Sequence, residues 1–368
     1  MNKIERLASN IVDYSLKVRE NEKVLITYQS TSCTDLVKCL IEKIVNKKAI
    51  VFAKYVDPSI SNLLKESATS KRIDIMRDYQ KFELDNFDSF INIKYNYNDY
   101  ESKNIDKKIR DEISKKTYDI HEKLVNNRKW VLFNYPSVVD SFKAKMKYDD
   151  FYNYSFDVMT FDYSKMSKDI EPLKRLMEKT KTVRIKGEGT DISFSIKGMP
   201  AIPCVGEMNI PDGEIFTAPV KKSVNGKITY NTKSTYNGDV FSNISLTFKD
   251  GKIIEAVCDE ESKNEKLGEI FSTDEGSRYV GEFALGLNPM IKEPMGDILF
   301  DEKIIGSIHF TPGAAYKECY NGNDSNIHWD LVLIQRKEYG GGELYFDDVL
   351  VRKDGLFVLE ELKHLNYD

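Results

Sequence analysis

Two of the four histidines lie in apolar segments that also carry other polar side chains able to bind metal. His309 stands in the run Ser-Ile-His-Phe-Thr, and His328 in the run Asn-Ile-His-Trp-Asp-Leu. Both runs predict buried strands, in which His309 shares a face with Ser307 and Thr311, and His328 with Asp330. Imidazole and carboxylate groups are ligands of zinc, cobalt and manganese. The alternative reading is a pair of core histidines that hydrogen-bond to the backbone.

Two glutamates upstream stand in equally unusual surroundings. Glu214 follows a Pro-Asp-Gly turn at residues 211–213 and enters a short apolar strand, while Glu282 lies in the run Val-Gly-Glu-Phe-Ala-Leu-Gly. A buried carboxylate has a large desolvation cost unless it is paired or bound to metal. Two neighbouring dications also need carboxylates to reduce their repulsion. Either glutamate taken alone could instead be a solvated or hydrogen-bonded edge residue.

Four segments occur in the order NIPDGEIFTAP, GEFALGLN, GSIHFTPGAAY and NIHWDLVL. They resemble the successive motifs of the thermophilic aminopeptidase family of dimetal metallopeptidases, typified by aminopeptidases T and S. The resemblance implies metal ligands at Glu214, Glu282, His309, His328 and Asp330. It also implies two divalent ions (zinc, cobalt, manganese or magnesium) and a homodimer. Which ligand serves which ion, and which glutamate moves protons, stays open.

The same resemblance implies catalytic side chains at Tyr316 and Glu282. Tyr316 follows His309 by seven residues, across a stretch of small residues that lets the chain turn back. A phenol with an ordinary pKa near ~10 remains a hydrogen-bond donor at neutral pH, which suits it to stabilise a developing oxyanion. The alternative is a tyrosine of the hydrophobic core.

These residues predict a metal-dependent aminopeptidase that removes amino-terminal residues from short peptides with a free amino terminus. Two ions that share a bridging water would lower its pKa and make hydroxide available for attack on the scissile carbonyl. Two other functions stay open: a dimetal phosphoesterase, and a non-catalytic metal-binding relative of the same fold.

Composition narrows the class of protein further. The 368 residues include 54 basic and 59 acidic ones, a net charge of −5 that argues against a nucleic-acid surface. No apolar run approaches the ~18 residues of a membrane span, and the amino terminus resembles an amphipathic helix instead of a signal peptide. The five cysteines form no Cys-x-x-Cys pair. We therefore expect reduced thiols in a cytoplasmic protein that binds neither membrane nor nucleic acid.

The pattern of predicted secondary structure changes near residue 182. Before it, a strand, helix and strand at residues 23–28, about 34–46 and 49–53 predict a βαβ unit. After it, short strands alternate with turn pairs such as Asp212-Gly213 and Asp250-Gly251. The sequence predicts an α/β fold: an N-terminal α/β domain with a largely parallel sheet and a bridging helix (residues 1–182), then a C-terminal β-rich α+β catalytic domain (183–368).

Overall fold

The computed structural model describes residues 2–98, 100, 102–236 and 238–367. The chain forms two compact units, Met1–Phe161 with Gly206–Pro211, and Asp162–Val205 with Asp212–Asp368. The helical segment after Phe161 therefore groups with the second unit, whereas the sequence assigned it to the first domain as a bridge. The division at residues 182 and 183 stays a prediction.

The first unit contains a four-stranded parallel sheet of order β2-β1-β3-β4. Its elements are α1 (Lys3–Ser9), β1 (Lys23–Tyr28), α2 (Thr34–Asn46), β2 (Ile50–Tyr55), α3 (Pro58–Glu66), α4 (Ser70–Asn86), β3 (Ser89–Tyr95), α5 (Lys107–Asn127), β4 (Lys129–Tyr135), α6 (Val138–Lys143) and α7 (Tyr148–Met159). The βαβ prediction and the parallel pairing are confirmed. Alternating apolar residues such as Val24, Ile26, Ile91 and Val131 pack the sheet into the core of this unit.

The second unit is built mainly from antiparallel strands. Its elements are α8 (Tyr163–Asp169), α9 (Glu171–Lys179), β5 (Thr182–Gly187), β6 (Thr190–Ser195), β7 (Ile202–Cys204), β8 (Glu214–Thr217), β9 (Asn225–Thr229), β10 (Ser234–Tyr236), β11 (Asp239–Phe241), β12 (Ser245–Lys249), β13 (Lys252–Val257), α10 (Asn264–Ile270), β14 (Val280–Gly286), α11 (Ile298–Asp301), β15 (Ser307–Pro312), β16 (Val332–Ile334), β17 (Glu343–Phe346), β18 (Val349–Lys353) and β19 (Leu356–Phe357). The predicted combination of a parallel sheet with a β-rich second half is confirmed.

Two sheets of the second unit meet through aromatic side chains. An eight-stranded sheet has the order β13-β12-β9-β6-β5-β17-β18-β19, and a five-stranded sheet has the order β16-β15-β14-β8-β7. Phe194 of the larger sheet lies 5.0 Å from Phe283 and 4.9 Å from Phe310 of the smaller one, measured between ring centroids. These contacts bury one face of the five-stranded sheet and leave its opposite face for other groups.

Among the described residues, no helix is long and apolar enough to cross a membrane.

Gly286 controls how closely one turn approaches the five-stranded sheet. A methyl group at this position would overlap the carbonyl oxygen of Ile304 and the hydroxyl of Ser307. We expect Gly286→Ala to lower the free energy of unfolding by about 1 to 3 kcal/mol, the usual cost of overpacking. Chemical denaturation followed by circular dichroism measures this loss.

The matched control is Gly268→Ala in α10, where an added methyl group meets no atom of the described residues within 4 Å. Alanine is favoured over glycine within a helix by up to about 1 kcal/mol, so this variant should be as stable as the parent or more stable. Equal stability of the two variants would contradict the packing argument.

Candidate metal centre

Strand register brings three of the predicted ligands onto one face of the five-stranded sheet. Glu214 of β8 lies opposite Gly286 of β14, and Ala284 lies opposite His309 of β15. Opposite residues of antiparallel strands share a face, so Glu214, Glu282 and His309 point to the same side. Between them, Ala284 has a short side chain, and at Gly286 the turn through Ile304 packs directly on the sheet.

Glu282 lies between the two imidazoles. Its Oε1 is 3.2 Å from Nε2 of His309, and its Oε2 is 3.1 Å from Nε2 of His328. Nε2 of His309 also lies 3.3 Å from Oε2 of Glu214, and Nε2 of His328 lies 3.3 Å from Oδ1 of Asp330. The structure thus brings all five predicted ligands together in two groups that share Glu282.

The predicted strand through His328 and Asp330 is wrong. The regular strand begins only at Val332, and His328 makes a single isolated bridge to Gly313. The preceding loop is instead held by Asn323, whose side-chain amide donates to the carbonyl oxygens of Gly276 and Gly313. His328 and Asp330 nevertheless point the same way, as the sequence predicted.

Backbone and hydroxyl contacts orient this second pair. Nδ1 of His328 lies 2.8 Å from the carbonyl oxygen of Ala314. Because a carbonyl only accepts, Nδ1 carries the proton and Nε2 is directed into the site. The hydroxyl of Thr311 donates to Oδ1 of Asp330 at 2.7 Å. These are the kinds of contact that orient metal ligands in proteins.

Several buried atoms at the centre have no hydrogen-bond partner among the described residues. They are Oε2 of Glu214, Nδ1 of His309 and Nε2 of His328. Glu214 and His309 are 5% and 1% exposed, so such atoms would be costly without a partner. Oε2 of Glu214 and Nε2 of His328 both face other ligand atoms at 3.1 to 3.3 Å. A divalent cation fits this donor set, which combines imidazole nitrogen with carboxylate oxygen.

The charges of the centre shift the pKa values of its members. Burial alone lowers the pKa of His309, but Glu214 and Glu282 outweigh it and raise the pKa to about 9. Burial also lowers the pKa of His328, but Asp330 and Glu282 outweigh it and raise the pKa well above its ordinary value. Burial raises the pKa of Glu282, yet the two imidazoles bring it below its ordinary value. The two imidazoles and Glu282 therefore each favour the charged form of the other.

Sequence reasoning missed Glu302 and Lys303. Nζ of Lys303 lies 2.5 Å from Oε1 of Glu214 and 2.6 Å from Oε1 of Glu302, and this lysine is 1% exposed. Glu302 also forms a potential ligand group with His309 and Asp330. Both residues lie in a polar turn after α11, where charged residues are common. Only a buried contact, which no local pattern reveals, distinguishes them.

Tyr316 is not a core tyrosine. It is 44% exposed, and its ring centroid lies 4.7 Å from that of His328 and 5.6 Å from that of Phe216. Burial of its hydroxyl raises its pKa well above the ordinary value, and Glu282 and Asp330 raise it further. The hydroxyl is therefore a donor at neutral pH beside the ligand groups. The other nearby phenol, Tyr320, donates instead to Asp324 at 2.6 Å.

The raised histidine pKa values predict how the stability of the chelator-treated protein depends on pH. A histidine whose pKa is higher in the folded state stabilises the fold fully below its unfolded value of about 6.5. That contribution is lost as the pH rises through the folded value, which is about 9 for His309. Glu282 and Asp330, with lowered pKa values, stay ionised throughout this window.

We therefore expect the free energy of unfolding to fall by on the order of 1 to 3 kcal/mol between pH 6.5 and 9.5. Denaturation in the presence of chelator at each pH measures the fall. His309→Asn should make the fall smaller but not abolish it, because the pKa values of His328 and Glu302 are also raised. A stability that is constant or rises over this window would contradict the argument.

Comparison with known proteins agrees with the motifs of the sequence. The model of the thermophilic metalloprotease family (M29) matches residues 1–355. Aminopeptidase 2 of Geobacillus stearothermophilus is 33% identical over 168 residues, which cover 40% of this chain and 37% of that protein. Aminopeptidase T of Thermus thermophilus is 31% identical over 176 residues, covering 41% and 42% respectively. The aligned stretches thus span less than half of these relatives.

Solved structures show the same fold over nearly the whole chain. Wild-type AmpT from Thermus thermophilus has a TM-score of 0.78 at 19% identity, covering 97% of this chain and 99% of that one. A 2,5-dihydroxypyridine dioxygenase from Pseudomonas putida has a TM-score of 0.64 at 15% identity, covering 98% and 99%. The resemblance found in the sequence is confirmed by the family match, and the chain belongs to the thermophilic metalloprotease family M29.

Proposed function

We propose that this protein is a metallo-aminopeptidase that uses two divalent ions to remove residues from the free amino terminus of short peptides. The observation that carries the proposal is the convergence of two imidazoles and three carboxylates. Within the described part of the chain, the inward-facing Oε2 of Glu214 and Nε2 of His328 have no hydrogen-bond partner. Family membership supports the same chemistry.

The distances suggest how the ligands divide between the ions. Glu214 and His309 would hold one ion, and His328 and Asp330 the other, with one oxygen of Glu282 directed to each. Glu282 would contribute to both groups, since its two oxygens face the two imidazoles, and the catalytic role that the motifs predict for it stays part of this proposal. Glu302 is a further candidate ligand.

The donor set indicates which ions to test. Imidazole nitrogen favours zinc or cobalt over magnesium, with manganese between them. When bound, such ions polarise a carbonyl and lower the pKa of a coordinated water. The chain's own residues fix the ligand geometry: Ala314 sets the tautomer of His328, and Thr311 orients Asp330.

Tyr316 is the proposed oxyanion donor. Its protonated hydroxyl lies beside the ligand groups, and its ring packs against His328. A hydrogen bond to the substrate oxygen that gains negative charge during attack would stabilise the transition state.

We further propose a cytoplasmic homodimer. The five cysteines are free thiols, as expected in a reducing compartment. The dimer rests on the family resemblance alone, and light scattering of the purified protein would test it.

One assay separates this function from its alternatives. We expect the chelated protein, after zinc or cobalt is restored, to hydrolyse aminoacyl amides with a free amine and to spare the acetylated analogues. Elemental analysis should find up to two ions per chain. Cleavage of a phosphate monoester alone would indicate the phosphoesterase. Metal binding without turnover of any substrate would indicate the non-catalytic relative. Full activity without metal would reject the proposal.

Changing Tyr316→Phe deletes one hydroxyl and keeps the ring contacts with His328 and Phe216. We expect unchanged metal content and stability but a kcat lower by on the order of 10² to 10³, or about 3 to 4 kcal/mol of transition-state stabilisation. Steady-state kinetics on a free-amine substrate measures the change.

Tyr320→Phe is the matched control, because that phenol donates to Asp324. Its kcat should stay near that of the parent. If Tyr316→Phe also turned over at the parent's rate, Tyr316 would not be the oxyanion donor.

A further inference from the structure

A buried lysine lies behind the proposed ligands and contacts two of the carboxylates. Lys303 is 1% exposed, and its ammonium contacts Oε1 of Glu214 and Oε1 of Glu302. A carboxylate of Asp212 lies 3.7 Å away. An ammonium among three buried acids is costly to place unless all its donors are used, so a specific packing arrangement must hold it there.

That arrangement is a tight turn packed on β14. The backbone N–H of Asn288 donates to the carbonyl oxygen of Lys303, and Ile304 forms a bridge with Asn288. Gly286, which lies opposite Glu214 in the sheet, has no side chain and so lets this turn approach. The backbone conformation of this turn therefore positions Lys303 next to Glu214.

The contact with Lys303 gives the two carboxylate oxygens of Glu214 different surroundings. Oε1 is held by Lys303, whereas Oε2 accepts no hydrogen bond from any residue that the structure describes and lies 3.3 Å from Nε2 of His309. A carboxylate held in this way can offer only one oxygen to a cation on the His309 side. Without the ammonium, Glu214 would be free to rotate or to chelate with both oxygens.

We infer that Lys303 is a positioning residue of the metal centre, which fixes Glu214 as a ligand through Oε2 alone. This inference rests on the proposed function, since it assumes an ion bound by Glu214 and His309. The competing explanation is that Lys303 only neutralises buried charge and has no effect on how the ion is bound.

The test is Lys303→Met, which keeps an unbranched side chain only one atom shorter and removes its charge and donors. Metal-free protein is titrated with Co²⁺ and followed by visible absorption and equilibrium dialysis. We expect one of the two ions to bind about 10 to 100 times more weakly, the usual effect of losing a group that orients a ligand. Its absorption spectrum should change, while the second ion keeps the parent's affinity.

Two further variants identify which ion is affected. Glu214→Gln should weaken the same ion as Lys303→Met, because both changes alter one ligand. Lys252→Met removes an exposed lysine from β13 of the same unit and should leave both affinities and the spectrum unchanged.

The outcomes separate the two proposals. If the parent binds two ions and Lys303→Met binds both with the same affinities and spectrum, the inference is overturned and the proposed function stands. A parent that binds no divalent ion would overturn the proposed function and the inference together. If Lys303→Met fails to fold, a crystal structure of the zinc-loaded parent decides: Glu214 bound through both oxygens, or released from Lys303, would overturn the inference.

Discussion

The concentration of buried negative charge on one face of a sheet is the constraint that shapes the second unit. Glu214, Glu282 and Glu302 are each less than 9% exposed, and Asp330 lies beside them. Carboxylates at such separations repel strongly where water is scarce, so the fold has to supply positive charge or accept protons. It supplies a permanent cation through Lys303 on one side and two imidazoles on the other. The imidazole nitrogens and carboxylate oxygens of this cluster are a donor set that fits a divalent cation.

The parts of this arrangement that depend on local sequence could be predicted. Alternation in β15 correctly put His309 and Thr311 on one face, and the Pro-Asp-Gly turn correctly began a short strand at Glu214. The extended segment around His328 was mistaken for a strand, because its apolar residues pack individually while side chains such as Asn323 satisfy the loop backbone. The role of Lys303 could not be predicted, because it depends on how a turn packs against Gly286. No local sequence pattern reveals that contact.

Fold alone does not determine chemistry here. The fold of this chain is similar to the solved structures of an aminopeptidase and of a dioxygenase, at 19% and 15% sequence identity. What can differ between such proteins is the set of side chains that one sheet face presents. In this chain that set includes a carboxylate with both oxygens directed to imidazoles, and this feature of Glu282 is what a comparison of relatives should track.

The alternation of β15 links the core to the centre in a way that bears on misfolding. Ile308 and Phe310 face the aromatic contacts between the two sheets. His309 and Thr311 face the buried carboxylates on the other side. A slip of one residue in this strand would move an imidazole into the hydrophobic layer and a phenyl ring into the charged one. Both errors are costly, so the two faces enforce the same pairing. Under the proposed function, the amount of divalent metal that a preparation binds would therefore also report how much of the protein has this strand correctly aligned.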